Sequence, residues 1–170
     1  MSHLDGSSIR TFSFLANRLC LIFFAACLPG WTSYDGHCYR FISTPHSWVD
    51  AENHCLNLNS DLLSIDSDAE NELGKSLTEQ SLNGCVWIGL RFHKVVAQVN
   101  KKLQWSDGTS VNFTKWNAIT PTPFRDVIPS SARDGNNHVC VSYAVQSNVW
   151  VNESCSKDCS FVCKRKGRSK

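Results

Sequence analysis

The stretch Trp48-Val-Asp-Ala-Glu-Asn-His-Cys55 carries a tryptophan, an alanine and a cysteine at helical spacing, and Leu58 extends the same apolar face. Apolar residues that recur every three to four positions indicate an amphipathic helix packed on a core. Thr44-Pro45 precedes the stretch, and this pair is typical of an N-cap followed by proline at the first helical position. We therefore expect a first helix that begins at Thr44-Pro45 and buries Trp48 and Cys55.

A second helix is predicted from Ser67-Asp-Ala-Glu70, which has the form of a capping box. In a capping box the serine and glutamate side chains satisfy backbone amides that the first helical turn leaves free. Leu73 and Leu77 continue an apolar face, and we expect Asn83-Gly84 to end the helix.

Short strand-like runs stand on both sides of the helices. Before them, two aromatic-rich runs flank Asp35-Gly36, a pair that favours a hairpin because both residues tolerate positive φ. After Gly84 the runs are Val86-Trp-Ile-Gly-Leu90, Lys102-Leu-Gln-Trp105, Val139-Cys-Val-Ser-Tyr-Ala-Val145, Val149-Trp-Val151 and Phe161-Val-Cys-Lys164. Helices followed by strands indicate an α+β fold, with two helices on small antiparallel sheets, and not a wound parallel sheet.

The chain has nine cysteines in 170 residues, which is typical of a disulfide framework in a secreted protein. Arg10 and Arg18 precede a short apolar run over 19–28, so we predict a signal peptide over 1–26, cut near Ala26. Cleavage removes Cys20 and leaves eight cysteines, an even number. The competing interpretation is an uncleaved type II membrane anchor that starts near Phe12.

Residues 27–164 form the predicted domain, and 165–170 form a basic C-terminal tail. The last seven residues hold five of the 17 basic residues, so the remainder carries 12 bases against 15 acids, a difference of −3. We interpret this end as a solvated, frayed terminus. The alternative is a tail that binds an anionic polysaccharide or nucleic acid, and nothing else in the sequence indicates nucleic acid.

A long stretch without periodicity lies between Trp116 and Cys140 and contains three of the five prolines. A loop of this length in a compact domain is usually a functional surface. Trp116 and Phe124 are the aromatic candidates for contacting a partner. Trp48, Trp87, Trp105 and Trp150 fall in predicted regular elements, and we expect them in the core.

Residues 28–164 resemble the C-type lectin-like domain family, in the long form that has an extra N-terminal hairpin. The resemblance rests on an ordered set of motifs. They are Pro29-Gly-Trp31, Cys38-Tyr39, the Trp48 to Cys55 stretch, Leu62-Leu-Ser-Ile65, Trp87-Ile-Gly-Leu90, Trp105-Ser-Asp-Gly-Thr109, Cys140, Cys155 and Phe161-Val-Cys163. Any one motif is weak evidence, but the set in this order is specific.

The resemblance implies three disulfides, Cys27 to Cys38, Cys55 to Cys163 and Cys140 to Cys155. Cys85 and Cys159 have no partner in the usual family pattern. Parity favours a fourth internal bond between them, whereas the alternative is a dimer linked through one exposed thiol.

Sugar-binding members of the family hold calcium with a Glu-Pro-Asn type triplet in the long loop and a Trp-Asn-Asp triplet on a later strand. Calcium takes about six to eight oxygen ligands, several of them anionic. Here the second triplet reads Trp150-Val-Asn152, and the loop reads Thr120-Pro-Thr-Pro-Phe-Arg125. The acids of the loop, Asp126 and Asp134, each follow an arginine. We therefore expect no metal site and no cofactor.

Two N-glycosylation sequons, Asn112-Phe-Thr114 and Asn152-Glu-Ser154, agree with a secreted chain. Asn152 occupies the position of a family calcium ligand. Calcium-dependent sugar binding and a glycan on Asn152 therefore exclude each other.

Enzyme motifs such as Gly-x-Ser-x-Gly and His-Glu-x-x-His are absent from the sequence, and we predict no catalytic residues. We expect a secreted recognition module that binds an extracellular glycan or protein, with no membrane insertion after leader cleavage. The proposed ligand contacts are Trp116, Phe124, Arg125, Asp126, Asn137 and Asn152. The rivals are a calcium-dependent lectin with a degenerate site and a disulfide-linked, toxin-like or inhibitory subunit.

Overall fold

The computed structural model describes residues 27–79, 81, 84–93, 105–116 and 138–168. These residues form two helices and seven strands. In chain order they are β1 (Thr32–Tyr34), β2 (His37–His46), α1 (Trp48–Asn57), β3 (Asp61–Leu62), α2 (Asp68–Thr78), β4 (Cys85–His93), β5 (His138–Ala144), β6 (Val149–Glu153) and β7 (Cys159–Lys166). The predicted leader and Lys102-Leu-Gln lie outside the described residues. The α+β fold predicted from the sequence is confirmed.

All seven strands join one sheet, in the order β1-β2-β7-β4-β5-β6, with β3 paired to β7. Most neighbours are antiparallel, but β4 runs parallel to β7 through Val86↔Ser160 and Trp87↔Phe161. This parallel contact joins β1, β2, β3 and β7 to β4, β5 and β6 in one mixed sheet, where the sequence suggested several small ones.

The predicted hairpin at Asp35-Gly36 is confirmed. Asp35 has φ 41° and Gly36 has φ 72°, and Tyr34 pairs with His37 across the turn. Two successive residues with positive φ match the right-handed twist of the flanking strands.

The start of the first helix differs from the prediction. Thr44 and Pro45 lie in the final residues of β2, where the pairing with β7 shifts register between Ile42 and His46. The helix begins at Trp48, with Ser47 as N-cap, whose hydroxyl accepts from the Asp50 amide at 3.3 Å. Proline suits this irregular strand end because it donates no ladder hydrogen bond.

The second helix begins as predicted, since Ser67 Oγ accepts from the Glu70 amide at 3.1 Å. The Glu70 carboxylate accepts from the amide of Asp66, the residue before the N-cap Ser67, at 2.8 Å. The helix ends at Thr78 and not at Asn83-Gly84. Beyond it the Ser81 amide donates to the Thr78 carbonyl at 2.8 Å, three residues back, where a continuing helix would use the carbonyl four residues back.

Glu70 is also the centre of a buried polar network. Its Oε1 lies 2.6 Å from Lys164 Nζ, and it accepts from the Tyr39 hydroxyl at 2.6 Å. Lys164 Nζ donates further to the Ser64 carbonyl at 3.0 Å. Burial and the bond to Glu70 raise the pKa of Tyr39 well above its ordinary value, so the phenol stays a donor. The network joins α2 to the centre of the sheet.

Apolar side chains cover both faces of the sheet, in two clusters of buried residues. The expectation that Trp48, Trp87, Trp105 and Trp150 form the core is confirmed, since each is at most 2% exposed. Gly89 lets β4 approach the Leu62–Leu63 backbone closely, because a Cβ at this position would stand only 2.8 Å from the Leu62 carbonyl oxygen. At this short separation the Gly89 amide donates to the Leu63 carbonyl at 2.8 Å.

Four disulfides are present, and they coincide with the four pairs expected from the sequence. They are Cys27–Cys38, Cys55–Cys163, Cys85–Cys159 and Cys140–Cys155, at sequence separations of 11, 108, 74 and 15. The Cys85–Cys159 bond joins the beginning of β4 to the beginning of β7.

Within the described part of the chain, neither helix has the length and apolar character needed to cross a membrane.

We predict that Cys85→Ala/Cys159→Ala lowers the free energy of unfolding by about 2–4 kcal/mol, because it frees a long loop in the unfolded state. Removing Cys27–Cys38 in the same way is the matched control, and its shorter loop should cost roughly 1–2 kcal/mol less. Guanidinium unfolding measures both. An equal or larger loss in the control would contradict the loop-closure account.

Glu70→Gln should lower the free energy of unfolding by about 3–5 kcal/mol, because it leaves the buried Lys164 ammonium without its carboxylate. The double variant Glu70→Leu/Lys164→Met removes both charges and should recover much of that loss. Denaturant unfolding of both proteins tests the pair. A loss below about 1 kcal/mol for Glu70→Gln would show that the ion pair is not important for stability.

Candidate functional site

The long loop connects two neighbouring parts of the sheet. Trp116 forms a parallel bridge with Trp150 on β6, and the chain returns in β5, which pairs with β6. Of the predicted contacts, Trp116 and Asn152 are described, whereas Phe124, Arg125, Asp126 and Asn137 lie outside the described residues. The structure therefore describes the places where the loop joins the β5–β6 edge of the sheet.

Trp150 is the centre of an aromatic cluster at this edge. Trp105, Phe113 and Trp116 each meet it edge to face, with ring centroids 5.4, 5.9 and 5.6 Å away. Its indole Nε1 donates to Asn71 Oδ1 at 3.0 Å, and it is fully buried. Trp150 is thus part of the core, and the half-buried Trp116 is fixed against it before the long loop begins.

Backbone hydrogen bonding also fixes the chain at the beginning of the long loop. The Trp150 amide, which points away from β5, donates to the Lys115 carbonyl at 2.7 Å. Lys115 Nζ donates to Asp68 at 2.7 Å and to Glu72 at 3.1 Å, so the residue is tied to the first turn of α2. The bond to Asp68 is the main cause that raises the pKa of Lys115. These contacts fix the position from which the loop departs.

A polar clamp closes the turn between β5 and β6. Asn148 has φ 55°, and its Oδ1 accepts from Asn71 Nδ2 at 2.8 Å and from the Tyr143 hydroxyl. Its Nδ2 donates to the Glu72 carboxylate, and this bond, together with the one from Lys115, lowers the pKa of Glu72. Asparagine is one of the few residues that adopt positive φ readily.

This clamp was not predicted from the sequence. Its one local signal is an asparagine in a polar turn, Gln146-Ser-Asn148, between two apolar runs. The partners Asn71 and Glu72 are more than 70 residues away, as separations of 77 and 76 show. Only the fold brings them together.

The residues of β6 fit a calcium ion poorly. Val151 has no side-chain oxygen, and Asn152 supplies one neutral oxygen, Oδ1, which is buried without a hydrogen-bond partner among the described residues. Glu153 follows on the opposite face of the strand and pairs with Lys157 at 2.7 Å. Calcium requires several anionic oxygens in one place, and β6 directs none beside Asn152.

The other described residues also offer no group of metal ligands. Between residues 27 and 168, leaving out the gaps, no group of three or more His, Cys, Asp or Glu side chains is arranged to hold a metal ion.

The predicted glycosylation sites differ in exposure. Asn112 and Thr114 are exposed, while Phe113 between them packs on Trp150. Asn152 is half-buried in β6, in register with Val141. Asn112 is therefore the more exposed of the two sequon asparagines.

Comparison with known proteins agrees with this architecture. The Lectin C-type domain family matches residues 44–165. C-type mannose receptor 2 of Mus musculus is 34% identical over 142 residues, which are 84% of this chain and 9% of the receptor. Human lithostathine-1-beta is 36% identical over 146 residues, covering 83% of this chain and 79% of that protein. The chain thus spans about a tenth of the receptor's length and most of lithostathine's.

The fold is also found among solved structures. The crystal structure of a calcium-independent type II antifreeze protein superposes with a TM-score of 0.66 at 26% identity, covering 84% of this chain and 95% of that one. Together with the family match and the sequence identities, this shows that the chain belongs to the C-type lectin domain family.

Proposed function

We propose that the chain is a secreted recognition module that binds an extracellular glycan or protein without calcium. The observation that carries the proposal is the Trp150-Val-Asn152 segment of β6, which combines a core tryptophan with a valine and a half-buried asparagine where calcium-binding relatives place ligands. A fold in this family that works without calcium has a precedent in the antifreeze protein, which is described as calcium-independent.

Ligand contact is assigned to Trp116 and to the loop residues Phe124, Arg125, Asp126 and Asn137. This assignment is supported by the contacts at the beginning of the loop, where the Trp116–Trp150 bridge and the Lys115 ion pairs fix the backbone. A rigid scaffold that carries a long loop is a common arrangement for binding surfaces. The name of the mannose receptor relative is compatible with a glycan as the ligand.

Secretion and the absence of catalysis are part of the same proposal. Four disulfides are stable in an oxidising compartment, which agrees with a cleaved leader over 1–26 and release without membrane insertion. Among the described histidines, His37 bonds the Asp35 carbonyl at 2.9 Å and His46 bonds the Thr44 carbonyl at 3.1 Å, so both support local turns. A binding module requires no more than this.

The disulfide-linked subunit requires Cys85 or Cys159 to bond a second chain. In the described residues these two cysteines are bonded to each other, and Cys159 is fully buried. This arrangement favours a module that acts without an interchain disulfide through either cysteine.

Adding calcium should not change the melting temperature. A ligand that binds the native state stabilises it by RT ln(1 + [L]/Kd), and extracellular calcium modules have Kd values of about 0.1–1 mM. A real site would therefore gain about 1–3 kcal/mol in ~10 mM calcium. Calorimetry with calcium and with chelator tests this, and a reproducible rise of several degrees would overturn the proposal.

Val151→Asn/Asn152→Asp restores the family pair on β6 and serves as the matched variant for the same measurement. We still expect no tight calcium binding, because the loop has no Glu-Pro-Asn type triplet and its two acids, Asp126 and Asp134, each follow an arginine. Calcium-dependent sugar binding created by this double change alone would show that the interpretation of residues 120–126 as ligand-poor is wrong.

Glycosylation is proposed at Asn112, whose side chain is exposed, and not at Asn152, whose Oδ1 is buried. Asn112→Gln should remove one glycan from protein secreted by animal cells, and Asn152→Gln should leave the mass of the glycoprotein unchanged. Mass spectrometry before and after glycosidase treatment measures both. A glycan found on Asn152 would contradict the assignment.

A further inference from the structure

Charge is strongly segregated along this chain. Residues 48–79, which include both helices, contain eight acidic residues and one lysine. The C-terminal end of β7 has the opposite character, since Lys164, Arg165, Lys166 and Arg168 follow one another without an acid. Such asymmetry creates a local field that can attract a charged partner, whatever the net charge.

The basic residues from Lys164 to Lys166 lie in a paired strand and not in a frayed tail. β7 continues through Lys166, and the amide of Gly167 donates to the Gly36 carbonyl at 2.8 Å. The Arg165 guanidinium lies 4.5 Å from the centre of the Trp31 ring. Arg40 joins them from β2, where it pairs with Cys163 and lies diagonal to Arg165 on the same face.

Four cations surround the end of β7 and are called the basic ladder end: Arg40, Arg165, Lys166 and Arg168. Arg40 and Arg165 lie on one face of the sheet, Lys166 lies on the other because successive strand residues alternate, and Arg168 follows the strand. Among the described residues, none of the four has a carboxylate within ion-pair distance, whereas Lys115, Lys157 and Lys164 each have a carboxylate oxygen within 2.7 Å. Arg165 Nε is in addition buried without a hydrogen-bond partner in the described chain. Within the described residues, no ion pair therefore neutralises this positive charge.

An aromatic ring stands beside Lys166, on the face of the sheet opposite to Arg40 and Arg165. Tyr34 on β1 pairs with His37, and His37 pairs with Lys166, so the three side chains form one row across the strands. Tyr34 is 38% exposed. An exposed ring near an ammonium group on an ordered strand suits a sugar that stacks on the ring and presents an anionic substituent to the cation.

We propose that the basic ladder end binds a sulfated polysaccharide. A planar guanidinium matches the oxygens of sulfate and carboxylate groups, and several fixed cations suit a polymer that repeats such groups. An oxidising compartment, which the four disulfides favour, makes nucleic acid an improbable partner. The site lies at the β1-β2-β7 side of the sheet, opposite the β6 edge, and is therefore independent of the loop surface proposed above.

Heparin, measured in calcium-free buffer at about 0.15 M salt, is the probe, and isothermal calorimetry on the full mature chain is the measurement. The test variant is Arg40→Gln/Lys166→Gln/Arg168→Gln, which leaves the Arg165–Trp31 stack intact. The control is Lys75→Gln/Arg91→Gln/Lys157→Gln, which makes the same change in net charge elsewhere. Circular dichroism and melting temperature establish that both variants fold.

The test variant should lose roughly tenfold in heparin affinity, because each exposed ion pair changes affinity by about two- to threefold. The control should lose less than about twofold. In the test variant the slope of log K against log salt should fall by about two to three. Chemically desulfated heparin should not bind the unaltered chain.

Four results would overturn the proposal. They are no heparin binding, an equal loss in both variants, retention of affinity for desulfated heparin, and tighter binding to phosphatidylserine vesicles or to duplex DNA than to heparin. The vesicle and DNA results would identify the basic ladder end as a site for another kind of polyanion.

Discussion

The fold depends on how strand β7 is fixed at the centre of the sheet. It pairs with β2, β3 and β4, and disulfides from Cys159 and Cys163 join it to β4 and α1. Lys164 adds a buried ion pair to Glu70 of α2. This single strand is bonded covalently to α1, ion-paired to α2 and hydrogen-bonded to three other strands, so the two helices and the sheet cannot separate without breaking these contacts.

This central fixation lets the two edges of the sheet serve different purposes. At the β6 edge, Trp150 and Lys115 hold the point from which the long loop leaves, and the acidic residues of α2 are used there as partners for Lys115. At the other edge, the N-terminal hairpin and the end of β7 display cations that have no carboxylate partner among the described residues. The proposed ligand sites therefore do not compete for the same residues, and each can be altered by itself.

What the sequence could predict follows from the range of the interactions involved. The Asp35-Gly36 hairpin and the Ser67 cap are decided by neighbouring residues, and the structure places both as expected. The family motifs predicted the fold because the resemblance implies how distant segments of the chain pair with one another. Thr44-Pro45 has the composition of a helix start, but pairing of β2 with β7 overrides it.

The remaining features could not be predicted because they arise from contacts between distant segments. Asn148 acquires its role only when α2 comes next to the β5–β6 turn, and Gly89 is required by the Leu62 carbonyl that packs against it. Likewise, the basic residues after Cys163 were interpreted as a frayed end because nothing local reveals the Gly167 to Gly36 hydrogen bond. Phe124, Arg125, Asp126 and Asn137 lie outside the described residues and stay predictions from the sequence.

Ligand binding without calcium is the central claim, and a glycan array read twice tests it most directly. The mature protein is applied once in millimolar calcium and once in excess chelator, with Trp116→Ala as a variant of the proposed contact surface. We predict the same set of bound glycans, at the same strength, in both conditions and a weaker signal for the variant, while an empty array would direct the search to protein ligands. Binding that appears in calcium and disappears in chelator would contradict the account.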